Sequence, residues 1–385
     1  MALISNKGET NIVKRTKNIG VAMDRRPTLM DLSREVGLSK HTISHILNGN
    51  GDKYRHSKET HEKVLAAARR LNYLPNAMAR AARSGRFGNI GLILCSDIGL
   101  GYLPDSLMRG IQEEVNRRGI NLVFSWVSEE LLLKGESIPK ILSELMVDGI
   151  LLDYIKPPPQ IVTDMINDTN TPFVLINAGV ENDCVDPDDY QAGLDAAHYL
   201  IGLGHSRIAY VSLDRNEDDW ANHSFHRSVA IRYDGYRKAM GGAGLKPRLI
   251  TGNRSLWDMA DRHAGSPREL LPWLFEKDRP TAIIVYPGAY GVPTILKSID
   301  EMGLHVPNDL SIITFWNSPY KIEGFPVTTM IEPFYEVGKA SVGLLLDKIG
   351  GKVKTSKTIR FPFEMASGAS CASLSRSRTV TVVKK

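Results

Sequence analysis

Cysteine is scarce in this sequence: Cys95, Cys184 and Cys371 are the only three, far apart and odd in number. That excludes a disulfide framework, and no pair has metal-ligand spacing, so a reduced cytosolic compartment is expected and the thiols are assigned no chemistry. Long apolar runs are missing too. No stretch of eighteen uncharged apolar residues occurs, and residues 1–26 mix Lys, Asn, Glu and Arg without an apolar h-region. Neither a membrane span nor an export signal is therefore expected, and a cytoplasmic protein is. Catalytic constellations are absent as well. Gly99-Leu100-Gly101 lacks a third glycine at dinucleotide spacing, Gly202-Leu203-Gly204 reads as a helix C-cap, and His223 and His226 have no partners at catalytic spacing. The expectation is a protein that is not an enzyme and carries no cofactor and no metal.

What is present begins with size. At 385 residues, the chain exceeds what one hydrophobic core supports, which favours a small domain joined to a bilobed large one. Charge is unevenly divided. Residues 1–86 hold seventeen Lys/Arg and seven Asp/Glu, leaving thirty-one against thirty-six for the remainder. A basic module on an acidic body is the electrostatic footprint of a polyanion binder, because phosphate neutralisation releases condensed counterions.

The basic segment is patterned after residue 26. Thr28 precedes Leu29, Leu32 and Val36 with Asp31 three positions on, so it reads as the N-cap of a short helix. Gly37 supplies the left-handed residue for a tight turn, Gly37-Leu38-Ser39, and Ser33 is small enough for a close helix crossing. Ser39 caps a second helix whose Ile43, Ile46 and Leu47 face inward. Lys40, His41, Ser44 and His45 fall on the opposite stripe, with lengths that reach base edges in a major groove, while Thr42 and the helix N-terminus suit phosphates. His41 and His45 lie one turn apart but have no third ligand nearby, so polar surface is the reading rather than a metal site. A third helix from near Ser57 is expected to turn Val64, Leu65, Ala68 and Leu71 inward. The Ala-rich segment 76–83 is too short to be a stable helix alone.

The runs GLSKHTISHILN, LNYLPN and AMARAAR resemble the DNA-binding headpiece and hinge helix of the lactose/purine repressor (LacI) family. The resemblance implies base contacts from Lys40, His41 and His45, and phosphate contacts from Thr28, Ser44 and Asn48. It also implies DNA contacts around the hinge, from Tyr73, Asn76, Met78, Ala79, Arg80 and Ala82. A leucine that wedges into the minor groove in the family is matched by Ala82, which is too short to prise a base step apart, so Met78 is the substitute considered.

From Asn89 the pattern changes to short β-runs alternating with amphipathic helices, which argues for parallel sheets in two doubly wound lobes. Strands are expected at 90–95, 122–126, 149–152, 173–176, 208–213, 282–286 and 310–315, and helices at 107–118, 192–203, 233–240, 295–302 and 335–349. The resemblance continues through VDGILL, TPFVLIN, LGHSRIAYV, RYDGYRKAM and EPFYEVG, implying a periplasmic-binding-protein-like core. It further implies an effector contact from Arg232. Sugar-responsive relatives carry Asn-Asp where this chain has Pro287-Gly288, and an acidic residue where it has Trp316. The pocket is thus expected to be more apolar, with Trp316, Phe334 and Trp126 as flat surfaces and Asn177 and Asp97 as polar contacts.

The expected organisation is a basic, disordered tail over 1–26, a headpiece over 27–75, a hinge helix and linker over 76–87, a core over 88–365 and a flexible tail over 366–385. Within the core, lobe 1 takes 88–187 and about 333–350, and lobe 2 takes 188–331 and about 352–365. Function is read as operator binding by a homodimer under the control of a sugar-like or aromatic effector. Three alternatives stay open: control by a partner protein with the pocket filled by Trp316, a solute-binding transport protein, and an enzyme on the same lobes.

Overall fold

The computed structural model describes residues 27–47, 56–74, 85–95, 103–128, 130, 134, 147–154, 158–212, 227–251, 271–286, 288–353 and 355–374. They form two compact units, divided between Gly85 and Arg86.

The first unit contains α1 (Leu29–Val36), α2 (Lys40–Leu47) and α3 (Lys58–Arg70). Its ends are fixed by local chemistry. Thr28 caps α1 with a reciprocal Asp31 bond, from Thr28 N to Oδ2 at 2.8 Å. Gly37 takes φ 72°, a conformation that costs a Cβ-bearing residue about 1 kcal/mol or more. Ser33 Oγ then donates to Leu38 O at 2.6 Å, and Ser39 Oγ accepts from Thr42 N at 3.1 Å. Leu32, Val36, Ile43, Ile46, Val64 and Ala67 close a mini-core. Two orientations differ from expectation. Leu65 is 43% exposed: α3 packs through Val64, Ala67 and Ala68, a three- and four-residue spacing that turns its neighbour outward. Ser44 is only 8% exposed, because it sits beside Ile43 on the inward half of α2.

The second unit starts at Arg86, two residues earlier than expected, since Arg86 Nη2 donates to Ile349 O and the Phe87 and Gly88 amides donate to Asp148. Lobe 1 holds β1 (Asn89–Cys95), α4 (Asp105–Arg118), β2 (Asn121–Val127), β3 (Ile150–Asp153), α5 (Gln160–Asp168), β4 (Phe173–Ile176) and β5 (Cys184–Pro187). Lobe 2 continues with α6 (Asp189–Gly202), β6 (Ile208–Ser212), α7 (Ser228–Gly242), β7 (Leu249–Thr251), β8 (Ala282–Tyr286), α8 (Gly288–Glu301), β9 (Ser311–Trp316), β10 (Tyr320–Ile322) and β11 (Phe325–Ile331). The chain then returns to lobe 1 as α9 (Phe334–Ile349) and β12 (Thr358–Phe361), and ends on lobe 2 with β13 (Glu364–Ala366).

The first sheet is parallel throughout, in the order β12-β5-β4-β3-β1-β2; the second runs β10-β11-β9-β8-β6-β7 with β13 on β11. Helices cover both faces, as the alternation of β-runs and amphipathic segments predicts. In each lobe one helix pair meets through glycine. A Cβ on Gly110 of α4 would lie 2.1 Å from Tyr335 O of α9, and one on Gly193 of α6 would lie 1.9 Å from Arg232 O of α7.

The lobe boundaries differ from expectation after residue 350. Thr358–Phe361 pairs in register with Cys184–Pro187, which adds 358–361 to lobe 1 and covers what would be an open sheet edge. Residues 366–374 form no loose tail. Ser370 is fully buried, its Oγ accepts from Thr328 N and donates to Ile312 O, and Leu374 N donates to Leu203 O. No helix among the described residues is long and apolar enough to cross a membrane.

Candidate functional site

On the headpiece, α2 exposes Lys40 and His41 and half-buries Thr42 and His45, while Ile43 and Ile46 hold it to the core. The Thr28 hydroxyl is engaged with Asp31, and the Ser39 hydroxyl meets Thr42 Oγ1 at 2.9 Å. An ion pair between Glu35 and Arg70 ties α1 to α3. Lys58, Lys63 and Arg69 leave α3 exposed, adding positive charge suited to phosphates. Tyr73 packs its ring against the mini-core. Asn48, Asn76, Met78, Ala79, Arg80 and Ala82 lie outside the described residues, as does Asp97.

The second candidate site lies where the chain crosses between lobes, near 188, 332 and 362. Arg232 on α7 is 2% exposed and touches all three crossings. Its Nε donates to Asp189 Oδ1 at 2.7 Å, where the chain enters lobe 2, and its Nη2 donates to Glu332 Oε1 at 2.8 Å, where it leaves. Its guanidinium carbon lies 5.1 Å from the ring centroid of Phe363, between β12 and β13, and 4.5 Å from that of Phe315. Burial works against the guanidinium charge, but the two carboxylates outweigh it and hold the group protonated. Burial raises the Asp189 and Glu332 carboxyls, and Arg232 opposes that rise. The arginine expected to hold an effector is thus already charge-balanced by its own chain.

Beside this clasp is a cavity of about 340 Å³. Asn177, Gly179, Glu181, Asp186 and Arg360 line it from lobe 1, Arg227, Ser228 and Ile231 from lobe 2, and Asp188 to Tyr190 from the crossing. Arg227 Nη1 reaches across to donate to Gly179 O at 2.6 Å, and Arg360 Nη2 donates to Glu181 Oε1 at 2.5 Å. Burial pushes the Asp186 carboxyl up from its ordinary range, against bonds from the Cys184 thiol and the Gly179 amide. Asn177 stands in the left-handed region at φ 56°, directly after β4.

The aromatic residues expected around an effector are not brought together. Phe334 is buried in the lobe 1 core, in the first turn of α9. Trp316 follows Phe315 on β9, so strand alternation turns it to the other face of the sheet, where its ring centroid lies 5.6 Å from that of Tyr320. Trp126 is 55% exposed on the edge strand β2, in edge-on contact with Phe124 at 5.3 Å. Residue-level reading missed Asp189 and Glu332, which the sequence shows only as a carboxylate in the first turn of a helix and another just before a helix, with nothing to join either to Arg232.

Comparison with known proteins finds likeness in both units. Residues 28–76 match the model for bacterial regulatory proteins of the lacI family, and residues 197–371 match that for periplasmic-binding-protein-like domains. The HTH-type transcriptional repressor PurR of Photobacterium profundum is 28% identical over 84% of this chain and 92% of its own length. Catabolite control protein A of Priestia megaterium is 29% identical over 87% and 96%. Among solved structures, the lac repressor dimer bound to operator and the anti-inducer ONPF superposes with a TM-score of 0.66 over 90% of this chain and all of that one, at 20% identity. A complex of the transcriptional regulator CelR with cellobiose gives 0.57 over the same shares, at 22% identity.

Proposed function

This chain belongs to the LacI family of bacterial regulatory proteins, and on that premise we propose that it is a repressor whose dimer reads an operator through α2 and releases or grips it according to a ligand held between the core lobes. It is a DNA-binding transcription regulator rather than an enzyme. The observation that carries the reading is the division of α2 into an inward Ile43/Ile46 face and an outward Lys40/His41/His45 face at the end of a capped, glycine-turned helix pair.

The lobes supply the control. A cavity lined from both lobes lets a ligand favour one lobe arrangement over another, and only that difference in affinity shifts the equilibrium. At about 340 Å³ it suits a small molecule. Arg227, reaching from the residue before α7 to the Gly179 carbonyl, registers the distance between lobes at the rim of the cavity. The exposed Phe124–Trp126 pair on β2, the edge strand of the sheet among the described residues, is the surface we assign to the second protomer, because exposed aromatic side chains at a sheet edge gain most from being covered.

Selection of duplexes from a random pool at fixed salt tests the reading. The protein should enrich one pseudopalindromic sequence, and Lys40→Ala and His45→Ala should each lose about 1–3 kcal/mol on that sequence with little loss on random DNA. Equal losses on both would mean that α2 does not read bases.

A further inference from the structure

Asp153 ends β3, whose other residues are apolar, and is 1% exposed. Among the described residues, neither of its carboxyl oxygens has a hydrogen-bond partner. Strand alternation places its side chain on the α4–α9 face of the sheet with Leu151, and the register sets it between Leu94 of β1 and Ile176 of β4. Those two residues, with Leu107 and Phe334 from the first turns of α4 and α9, belong to one apolar cluster. Burial raises the Asp153 pKa to about 8 and no charged group contributes. Ser106, also in the first turn of α4, is a second buried polar group whose Oγ finds no partner among the described residues.

Buried polar atoms are almost always paired, and a lone carboxylate among leucines needs a reason. Its place supplies one. Open parallel sheets bind ligands beyond the carboxyl ends of their strands; Asp153 is at such an end, and its register partner Ile176 is followed directly by Asn177, which lines the interlobe cavity. The charge of that cavity points the same way. Asp189 is taken by Arg232, which leaves Glu181, Asp186 and Asp188 facing the cavity against Arg227 and Arg360; Arg360 is paired with Glu181 and Arg227 donates to the Gly179 carbonyl. Arg232 has one nitrogen, Nη1, without a partner among the described residues, but two carboxylates balance its charge. An anionic ligand would meet excess negative charge; a cation would meet the acceptors left over.

We propose that the effector of this protein carries an ammonium or amidinium group and that Asp153 is the residue that anchors it. The proposal rests on the reading that a ligand between the lobes controls DNA binding. It separates this chain from members that take neutral sugars by supplying a buried counter-charge that hydroxyl groups do not need.

The test uses the full chain and three sets of related probes: putrescine, butanediol and succinate; glucosamine, glucose and gluconate; tyramine, tyrosol and hydroxyphenylacetate. Thermal unfolding should rise by several degrees with the cation of at least one set at millimolar concentration and not with its neutral or anionic counterparts. Asp153→Asn, which keeps the shape of the buried, largely protonated carboxyl and is expected to fold about as stably, should weaken that cation by about thirty-fold or more in calorimetric titration, because an amide cannot ionise to meet it. Equal or greater stabilisation by a neutral or anionic probe, a cation effect that survives Asp153→Asn, or no response to any of the three cations would each overturn the proposal. Duplex selection with the same preparation keeps the two readings apart. Sequence selection with an anion or sugar response leaves the regulator reading standing and removes the cationic effector, whereas no sequence selection removes the regulator reading whatever the ligand.

Discussion

Replacing Arg232 with methionine removes the one cation shared by Asp189 and Glu332 while keeping most of the side-chain volume. The structure sets the size of the effect. Both carboxylates are at least nine-tenths buried and their short bonds, 2.7 and 2.8 Å, go to this one guanidinium. Breaking a buried pair by removing one partner costs about 3–5 kcal/mol. For a large domain each kcal/mol moves the unfolding temperature by about 2–4 °C, so a fall on the order of 10 °C is expected. The pH dependence has a definite sign. Burial already raises both carboxyls and Arg232 opposes the rise, so its loss raises them further. The folded variant then binds protons that the unfolded chain has released, and its stability relative to the parent falls as pH climbs from the ordinary carboxylate range toward neutrality. Differential scanning calorimetry between pH 5 and pH 8 should show the gap widening, and adding Asp189→Asn and Glu332→Gln should recover at least half of the loss. An Arg232→Met protein that unfolds within about 2 °C of the parent at every pH would refute the clasp, and would return Arg232 to the role of a free ligand contact.

Other outcomes follow from single contacts. Gly193→Ala pushes a methyl group into the backbone carbonyl of Arg232, and should cost about 1–3 kcal/mol or more in chemical denaturation; Gly202→Ala on the same helix meets nothing within 4 Å and should be neutral or slightly stabilising. Trp126→Ser should weaken self-association by about thirty-fold or more in sedimentation at matched concentrations; an unchanged dimer would place the second protomer elsewhere.

What the sequence could reveal depended on how far apart the deciding residues lie. The headpiece was legible because its signals are local: Thr28 and Asp31 cap one helix, Gly37 turns the chain, and Ser57 caps the third. Leu65 was misjudged because α3 carries apolar residues on more than one stripe and only packing chooses among them. In the core, the strands read correctly are runs of four to seven residues in otherwise βα-alternating segments. The short β5 and β12 escaped because CVDP and TIRF carry charge, and in β5 a proline, and each becomes a strand only when the other lies beside it. The clasp was half visible. Arg232 stood out by resemblance, but its partners are 43 and 100 residues away, and nothing short of the fold brings them together. Asp153 was in view as a charge at the end of an apolar run and passed unnoticed, because sequence alone does not tell a strand end that meets solvent from one that is sealed.

A single guanidinium touches the three strands of chain that cross between the lobes. Two regulators with identical pockets and identical recognition helices can therefore differ in dose response through Asp189, Glu332 or Phe363 alone, since those side chains set how much work a bound ligand must do to swing one lobe against the other. Sensitivity and leakiness become adjustable independently of what is sensed and which promoter is read.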